Sequence, residues 1–324
     1  MIAAIQTEGL VKRFGETTAL AGIDLAVRQG SVLGVLGPNG AGKTTAIRIL
    51  TTLVRPDGGR AEVLGHDVVL HAHQVRQLIG LTGQYASVDD GLTGLNNLIM
   101  IGRLLGMSRA DARSRARELL ERFDLTEAAR RPAKTYSGGM RRRLDLAASL
   151  VGRPPVLFLD EPTTGLDPRA RNEVWDMIRG LVADGVTVLL TTQYLDEADQ
   201  LADDIAVIDH GRIIATGTPA ELKAKVGGRV LEAVPAEPAE LEHVAAFIAD
   251  VTGVAPATDR ARGLVTAPAA DSSALAALVR RIDDTGIELA EFALRSASLD
   301  EVFLALTGRG REDGPPEVAK EGSR

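Results

Sequence analysis

A glycine-rich segment, GPNGAGKTT, follows the apolar strand pattern SVLGVL and opens a helix pattern. It satisfies G-x-x-x-x-G-K-[ST] in the strand–loop–helix context that a phosphate-binding loop requires. Glycines let such a loop wrap closely, so that backbone N–H groups and the helix N-terminus meet phosphate oxygens. A glycine-rich turn with a chance lysine is less consistent with this context. The expected phosphate contacts are Gly37, Pro38, Asn39, Gly40, Ala41, Gly42, Lys43, Thr44 and Thr45.

Within this loop two side chains have distinct chemistry. We expect Lys43 to reach the β- and γ-phosphates of a nucleotide and Thr44 to ligate Mg²⁺.

Two consecutive carboxylates follow a second apolar strand pattern, PPVLFLDEP. Asp160 ends that strand, where ligands bind in open α/β sheets, and can hold Mg²⁺ through water. Glu161 points to the other side and is placed to orient or deprotonate an attacking water.

An acidic turn after a strand could explain the two carboxylates alone, but it does not explain them together with the phosphate loop.

The elements that must position both motifs are strand-length apolar segments that alternate with longer helix-like stretches. Several of the strands are continuously apolar, which predicts a mainly parallel sheet covered by helices, an α/β domain. The predicted strands are 23–27, 31–37, 156–160, 186–192 and 205–209, and the predicted helices include 108–123 and 168–183.

The sequence also predicts a hairpin at the sheet edge and a boundary between two domains. IAVID and RIIATG, separated by His210 and Gly211, predict a hairpin at the sheet edge. The pattern then changes to strand, helix, strand, strand, helix, strand, the order of a split-βαβ, ferredoxin-like α+β unit. We therefore predict a first domain over 1–228 and a second over 229–307. The charged, Pro/Gly-rich segment 308–324 is predicted to be a disordered tail.

The composition restricts the classes of function. The 324 residues include no cysteine, which excludes disulfides and thiolate metal sites. No run approaches the roughly 20 apolar residues that cross a bilayer, and the N-terminus lacks a signal-peptide pattern. The net charge of −7 argues against nucleic-acid binding, which needs a positive field over the contact surface. We expect a soluble, cytoplasmic chain.

Further motifs make the chain resemble the ATP-binding-cassette (ABC) ATPases, and within them the daunorubicin-resistance type of drug-export subunit. The resemblance covers about 4–225. It is carried by YSGGM, with Ser137, Gly138 and Gly139, by Asp167 in LDEPTTGLDP, and by Gln84 in IGLTGQYASV. A Ser-Gly-Gly triplet alone could be an ordinary helix N-cap. Its order between Lys43 and Asp160 makes the resemblance specific.

The resemblance implies a P-loop NTPase fold with a helical subdomain at about 86–152. It implies that the signature segment, Ser137 to Gly139, caps the γ-phosphate of ATP held by a second subunit, so that the chain works as an ATP-dependent homodimer. Tyr136 and Met140 replace the more usual leucine and glutamine but leave the backbone donors intact. Asp167 would couple the two sites across the dimer.

Three further implications concern Gln84, Phe14 and the segment 85–107. Gln84 would sense Mg²⁺ and water and report to a membrane partner. Phe14 would stack on adenine, although it could also be a core side chain. The segment 85–107 would dock a transmembrane subunit, although its apolar residues could equally be core.

The chain departs from the family pattern at Gln193 in LLTTQYLDEAD. Most members of the family have a histidine there, which hydrogen-bonds the γ-phosphate. A glutamine amide keeps one donor and one acceptor but cannot carry a proton. If the histidine acted by acid–base chemistry, this site would be nearly inactive; if it acted by position, glutamine could replace it. Phosphoryl transfer depends mostly on positioning, which favours Gln193 as a phosphate contact and Glu161 as the residue that directs water. The alternative is that Gln193 is only a surface residue at a strand end.

Two groups of residues keep alternative readings. Arg141, Arg142 and Arg143 are typical of a solvated helix face, or they help to neutralise bound nucleotide. Leu299, Val302, Phe303 and Leu306 have helical spacing and form either core or a partner-binding stripe.

Together these features predict an ATP- and Mg²⁺-dependent ATPase subunit that drives a separate transmembrane permease for drug efflux. It would lie at the cytoplasmic face of the membrane through that permease. One alternative is a soluble ABC-type ATPase that acts on ribosomes or DNA. The single motif set and the acidic charge disfavour that reading. A small-molecule kinase would share the phosphate loop but would not need the signature segment.

Overall fold

The computed structural model describes residues 3–83, 88–225, 228–269 and 273–307. Contacts divide the chain into two compact units, Met1–Thr216 and Gly217–Arg324. The strands of the first unit are β1 (Ala3–Phe14), β2 (Thr17–Arg28), β3 (Val32–Leu36), β4 (Gly58–Val63), β5 (His66–Asp67), β6 (Ile79–Thr82), β7 (Val156–Asp160), β8 (Thr187–Thr192), β9 (Asp204–Asp209) and β10 (Arg212–Gly217). Its helices are α1 (Lys43–Leu50), α2 (Ala72–Leu78), α3 (Gly94–Leu104), α4 (Arg109–Arg122), α5 (Gly138–Ser149), α6 (Pro168–Ala183) and α7 (Leu195–Leu201).

The sheet that positions the site has the strand order β10-β9-β3-β8-β7-β6. The pairs formed by β9, β3, β8, β7 and β6 are parallel, and every residue of β3, β7 and β8 is buried. Continuous burial is what a central parallel strand needs, because helices cover both faces. The predicted α/β fold and the hairpin at the sheet edge are confirmed.

A second sheet in this unit is antiparallel, with the order β2-β1-β4-β5. The prediction that 23–27 belongs to the parallel sheet is therefore wrong. Ile23, Leu25 and Val27 are buried while the residues between them are exposed. This alternation is typical of an antiparallel sheet with one solvated face, and it was present in the sequence.

Local signals set the helix boundaries near the site. Helix α6 covers the predicted 168–183, because the Asp167 side chain accepts from Ala170 N–H and Pro168 occupies the first turn. Ser108 caps α4 in the same way. The predicted helical subdomain, about 86–152, starts outside the described residues, and its limits stay a prediction.

The second unit contains α8 (Pro219–Ala224), β11 (Arg229–Pro235), α9 (Leu241–Thr252), β12 (Ala257–Asp259), β13 (Leu264–Ala269), α10 (Ser273–Thr285), β14 (Leu289–Ser296) and α11 (Leu299–Thr307). Its antiparallel sheet has the order β12-β13-β11-β14, which is that of the expected split-βαβ, α+β unit. The sequence-based boundary at 228 lies inside this unit, and the predicted tail, 308–324, lies outside the described residues.

The apolar stripe of α11 is only partly core. Leu299 and Val302 are buried, whereas Leu306 is exposed. No helix in the described ranges combines the length and the hydropathy that a membrane span needs.

Candidate functional site

Three loops at the carboxyl end of the parallel sheet carry the predicted site residues. The phosphate loop follows β3, Asp160 ends β7, and Gln193 follows β8. Strand register pairs Leu36 with Thr192 and Asp160 with Thr191. Because neighbouring parallel strands end at the same edge, backbone pairing brings the three loops together.

The phosphate loop needs glycine at two positions. Gly42, which precedes α1, has φ 109°, and a Cβ there would lie 2.5 Å from the Ala19 carbonyl oxygen. A Cβ on Gly37 would lie 2.3 Å from the Ile208 carbonyl oxygen. Any side chain at these positions would displace the loop. The loop borders a cavity of about 160 Å³, here called the phosphate cavity, lined by Ala19, Asn39, Gly40, Ala41, Gly42, Lys43, Thr44, Thr45 and Glu161.

Lys43 is a buried cation within this cavity. Its Nζ donates to the carbonyl oxygens of Gly37 (2.7 Å) and Pro38 (3.1 Å) and lies 3.7 Å from Glu161 Oε1. Burial lowers the Lys43 pKa, and the nearby Glu161 and Asp160 carboxylates oppose that effect. A nucleotide phosphate would supply further negative charge, which favours the protonated lysine.

Asp160 is a buried carboxylate held by two hydroxyl groups. Thr191 Oγ1 donates to Asp160 Oδ1 at 2.6 Å, and Thr44 Oγ1 donates to the same oxygen at 3.2 Å. Carboxylate and hydroxyl oxygens suit Mg²⁺, which is usually bound through one or two carboxylates, waters and substrate phosphates. In the described ranges no group of three or more His, Cys, Asp or Glu could hold a metal. The oxygen donors of Asp160 and Thr44 are of the type that Mg²⁺ prefers.

Glu161 has an unusual backbone conformation. Its φ is 50°, in the left-handed region that a residue with a Cβ adopts at a cost. Its N–H donates to the Thr191 carbonyl oxygen at 3.0 Å, and Thr164 Oγ1 donates to its Oε2 at 3.2 Å. Glu161 is thus held through both its backbone N–H and its side-chain carboxylate.

A second cavity, of about 420 Å³, lies beside the first and is here called the hydrolysis cavity. Gln193 lines it together with Glu161, which also borders the phosphate cavity. A neutral amide and a carboxylate therefore line the same cavity. The lining residues are Asn39, Arg142, Glu161, Thr164 and Gln193.

The signature segment and Asp167 lie outside both cavities. Ser137 caps α5 by accepting from Met140 N–H at 3.3 Å, and Ser137 and Gly138 are exposed, whereas Gly139 is half-buried. Asp167 is exposed and caps α6.

The remaining predicted contacts have different outcomes. Phe14 lies at the end of β1, 49% exposed, with Lys12 Nζ 5.3 Å from its ring centre. The alternative that Phe14 is a core side chain is wrong. Phe14 lines neither cavity, so its contact with adenine stays a prediction. Gln84 lies outside the described residues.

Comparison with known proteins decides the family. A family model described as ABC transporter matches residues 20–164, and one described as ATP-binding protein DrrA1-3-like, C-terminal domain, matches 217–307. The chain is 57% identical to the daunorubicin resistance ATP-binding protein DrrA3 of Streptomyces coeruleorubidus, over 95% of this chain and 97% of the relative. The chain belongs to the ABC transporter ATP-binding proteins. It is an ATPase of the drug-resistance type, as the resemblance implied.

Two more relatives of this ABC ATPase extend the comparison. The daunorubicin/doxorubicin resistance ATP-binding protein DrrA of Streptomyces peucetius is 54% identical, over 98% of this chain and 96% of the relative. The Nod factor export ATP-binding protein I of Ralstonia nicotianae is 40% identical, over 95% of each. Both similarities extend through the second unit.

Solved ABC cassettes match about two thirds of the ABC ATPase. A crystal structure of a transporter cassette in its ADP conformation has a TM-score of 0.62 at 29% identity, covering 68% of this chain and 93% of the cassette. A dimeric cassette in a post-hydrolysis state, bound to ADP and Pi, has a TM-score of 0.61 at 25% identity, covering 66% of this chain and 98% of that one. The P-loop NTPase fold is confirmed, and domains of this family bind nucleotide.

Two residues that the sequence did not single out also contact the site of this ABC ATPase. Thr191 binds Asp160 and Glu161, and Thr164 binds the Glu161 carboxylate. A hydroxyl at the carboxyl end of a strand beside an acidic strand end was a usable signal for Thr191. Thr164 had no such signal, because its contact depends on loop conformation. Arg142, one of the three arginines with two alternative readings, lines the hydrolysis cavity.

A buried carboxyl supports the loop after Glu161. Glu197 is fully buried and accepts from Thr163 Oγ1 at 2.8 Å and from Trp175 Nε1 at 3.2 Å. Burial raises the Glu197 pKa, and the hydroxyls of Thr192 and Thr163, the Trp175 indole and Arg142 oppose it. The carboxyl therefore ties α6 and α7 to the loop at a cost in desolvation.

Removing the Thr191 hydroxyl should loosen Asp160. In Thr191→Val we expect the Mg²⁺ concentration for half-maximal ATPase activity to rise roughly 10-fold, because a hydrogen bond to a charged group is lost. Thr191→Ser keeps the hydroxyl and should stay close to the parent protein. Titration of activity with Mg²⁺ measures the difference, and equal Mg²⁺ dependence of the two variants would contradict this role.

The Glu197 carboxyl predicts a pH-dependent stability difference. A raised folded-state pKa contributes stability below the unfolded pKa, about 4.3, and that contribution is lost as pH rises through the folded value. Glu197→Gln removes the titration, so its free energy of unfolding should improve relative to the parent protein as pH rises, by at most about 1.4 kcal/mol per pH unit.

Urea unfolding between pH 4 and pH 8 measures this difference. Glu121→Gln, at an exposed position, is the matched control and should change little relative to the parent protein. A difference that stays flat with pH for Glu197→Gln would contradict the raised pKa.

Proposed function

We propose that this ABC ATPase powers a separate membrane permease that exports a drug or antibiotic. The observation that carries the proposal is its near full-length similarity to daunorubicin and doxorubicin resistance ATP-binding proteins, which includes the second unit. Similarity to Nod factor export proteins supports export as the direction of transport. The chain would lie at the cytoplasmic face of the membrane and meet it through the permease.

In the proposed reaction, residues of the chain bind the nucleotide, orient the attacking water and neutralise the charge of the phosphates. Lys43 binds the β- and γ-phosphates, and the Thr44 and Asp160 oxygens would hold a Mg²⁺ ion, which would supply positive charge to the phosphates. Glu161 orients the attacking water and accepts its proton. Gln193 donates its amide N–H to the γ-phosphate and remains neutral throughout. The rate of phosphoryl transfer depends mainly on electrostatic stabilisation of the phosphates and on the positions of the reacting groups.

A second copy of the chain would complete each site. The signature segment, Ser137, Gly138 and Gly139, would meet the γ-phosphate held by the other copy, and Asp167 would lie between the two sites. Three observations support this: the segment begins helix α5, it lies outside the cavities of its own chain, and a related cassette is dimeric with ADP and Pi. A helix N-terminus is suited to an anion.

The permease would dock on helix α3. Leu104 is 79% exposed, Leu105 is 54% exposed, and Met100 lies on the same part of the helix with 37% exposed. Exposed apolar side chains that are this close together mark a contact surface. The alternative that the whole predicted docking segment is core is wrong for these three residues.

The division of roles between Glu161 and Gln193 is testable. Glu161→Gln should lower the ATPase kcat by more than about 100-fold and leave ATP binding intact, because the water loses its proton acceptor. Gln193→His should keep the activity within about threefold, because only position is needed. Gln193→Asn, with a shorter side chain, should lose less than Glu161→Gln. Steady-state ATPase assays and nucleotide titration measure these effects, and comparable losses in Glu161→Gln and Gln193→Asn would contradict the assignment.

Transport itself requires the permease. We expect inside-out vesicles that contain this chain and its proposed permease to accumulate daunorubicin when ATP is added. The Leu104→Asp, Leu105→Asp double variant should keep its ATPase activity but lose co-purification with the permease, because charge replaces the apolar contact. Leu70→Asp, at another exposed leucine, is the control. An ATPase that co-purifies with ribosomes and never with the permease would overturn the export proposal.

A further inference from the structure

Arg142 differs from the two arginines beside it. Arg141 pairs with Asp90 at 2.8 Å, and Arg143 pairs with Asp124 at 3.3 Å, in contacts to exposed carboxylates. Arg142 instead lines the hydrolysis cavity and donates to backbone carbonyl oxygens. The reading of a solvated helix face therefore fails for Arg142, and it fails for Arg143 too, whose side chain is only 15% exposed.

The Arg142 guanidinium contacts two loops at the sheet edge. Its Nε donates to the Pro162 carbonyl oxygen, and its Nη2 donates to that of Glu161 at 3.2 Å, with the Asp160 carbonyl oxygen at 3.5 Å. Its Nη1 donates at 3.1 Å to the carbonyl oxygen of Gly83, the residue directly after β6. One planar group thus joins α5 to both loops.

These contacts bear on the conformation of Glu161. A left-handed φ at a residue with a Cβ costs on the order of 1 kcal/mol and persists only where the surroundings hold it. The Thr191 carbonyl oxygen accepts from the Glu161 N–H on one side. Arg142 binds the carbonyl oxygens of Glu161 and Pro162 on the other side. Rotation of this backbone would turn the carboxylate away from the cavity.

The geometry of the cation matters more than its charge. The Arg142 donors all bind carbonyl oxygens, and a guanidinium offers five N–H groups in a fixed plane. A lysine has a single ammonium on a flexible stem, so it cannot reach both loops at once. Burial lowers the Arg142 pKa, and Asp145, Glu197 and Asp160 oppose this effect.

We propose that Arg142 is a positioning residue for ATP hydrolysis, which fixes the backbone of Glu161 and links it to helix α5. This inference rests on the proposed function, because α5 begins with the segment that would meet the ATP of a second copy. A shift of α5 on dimer closure would then be transmitted through Arg142 to the Glu161 carboxylate of the same chain. Arg142 acts through Glu161 and is not itself a contact to the reacting atoms.

The test compares Arg142→Gln and Arg142→Lys with the matched control Arg141→Gln in the full chain. We expect both Arg142 variants to lose roughly 10- to 100-fold in kcat, because hydrogen bonds from a charged group to the loop are lost. KM for ATP, and the Kd of a fluorescent ATP analogue measured with EDTA, should change by less than about threefold, since the phosphate loop is untouched. Arg141→Gln should stay within about twofold of the parent protein, as expected for a surface ion pair.

A double variant separates positioning from a general loss of structure. If Arg142 acts through Glu161, adding Arg142→Gln to Glu161→Gln should cause no further loss of single-turnover hydrolysis. Thermal melting of each variant identifies a folding defect, and Arg142→Lys, which keeps a long cationic side chain, serves if Arg142→Gln does not fold.

Three outcomes would overturn the inference. They are full kcat in Arg142→Lys, a loss in Arg142→Gln that matches Arg141→Gln, or a loss that appears in KM and Kd with kcat unchanged. The proposed function fails in a different way, namely when the parent protein does not hydrolyse ATP or does not drive transport. The two failures are therefore distinguishable.

Discussion

The parallel pairing of β3, β8 and β7 is the constraint on which the site depends. It sets Leu36 beside Thr192 and Asp160 beside Thr191, so that the three loops after these strands begin at one edge of the sheet. All three strands are buried along their whole length, and a one-residue shift in register would separate the Thr191 hydroxyl from Asp160. The apolar core of the sheet therefore determines the distances between charged groups.

The Glu161 carboxylate, which we propose directs the attacking water, is held by neutral and cationic groups around it. Thr191 and Arg142 bind the backbone of Glu161, and Thr164 binds its side chain. With the carboxylate held in this way, the proposed role of position 193 reduces to placing a donor near the phosphate. A glutamine would meet that need where most of the family has a histidine.

The second unit has its own polar anchor. Arg295 on β14 binds Glu232 on β11 and Glu301 on α11, each at 2.7 Å. Glu301 also accepts from the Ser298 N–H at 2.8 Å, so the ion pair and the start of α11 are one arrangement. The similarity to drug-resistance proteins extends through this unit, which indicates that it belongs to the function of the family and is not a variable appendage.

The sequence by itself determined the phosphate loop, the two carboxylates, the parallel strands β3, β7, β8 and β9, and the order of the second unit, because glycine spacing and continuous apolar runs are local signals. The parallel strand β6 was not predicted. The sequence also held the alternation that marks β2 as antiparallel, although the strand was assigned to the wrong sheet. Only the tertiary structure decided the left-handed Glu161, the roles of Thr191 and Thr164, and the difference between Arg142 and its neighbours. Three adjacent arginines are equivalent in a sequence, and they become different only when the fold brings carbonyl oxygens 20 and 59 positions away to one of them.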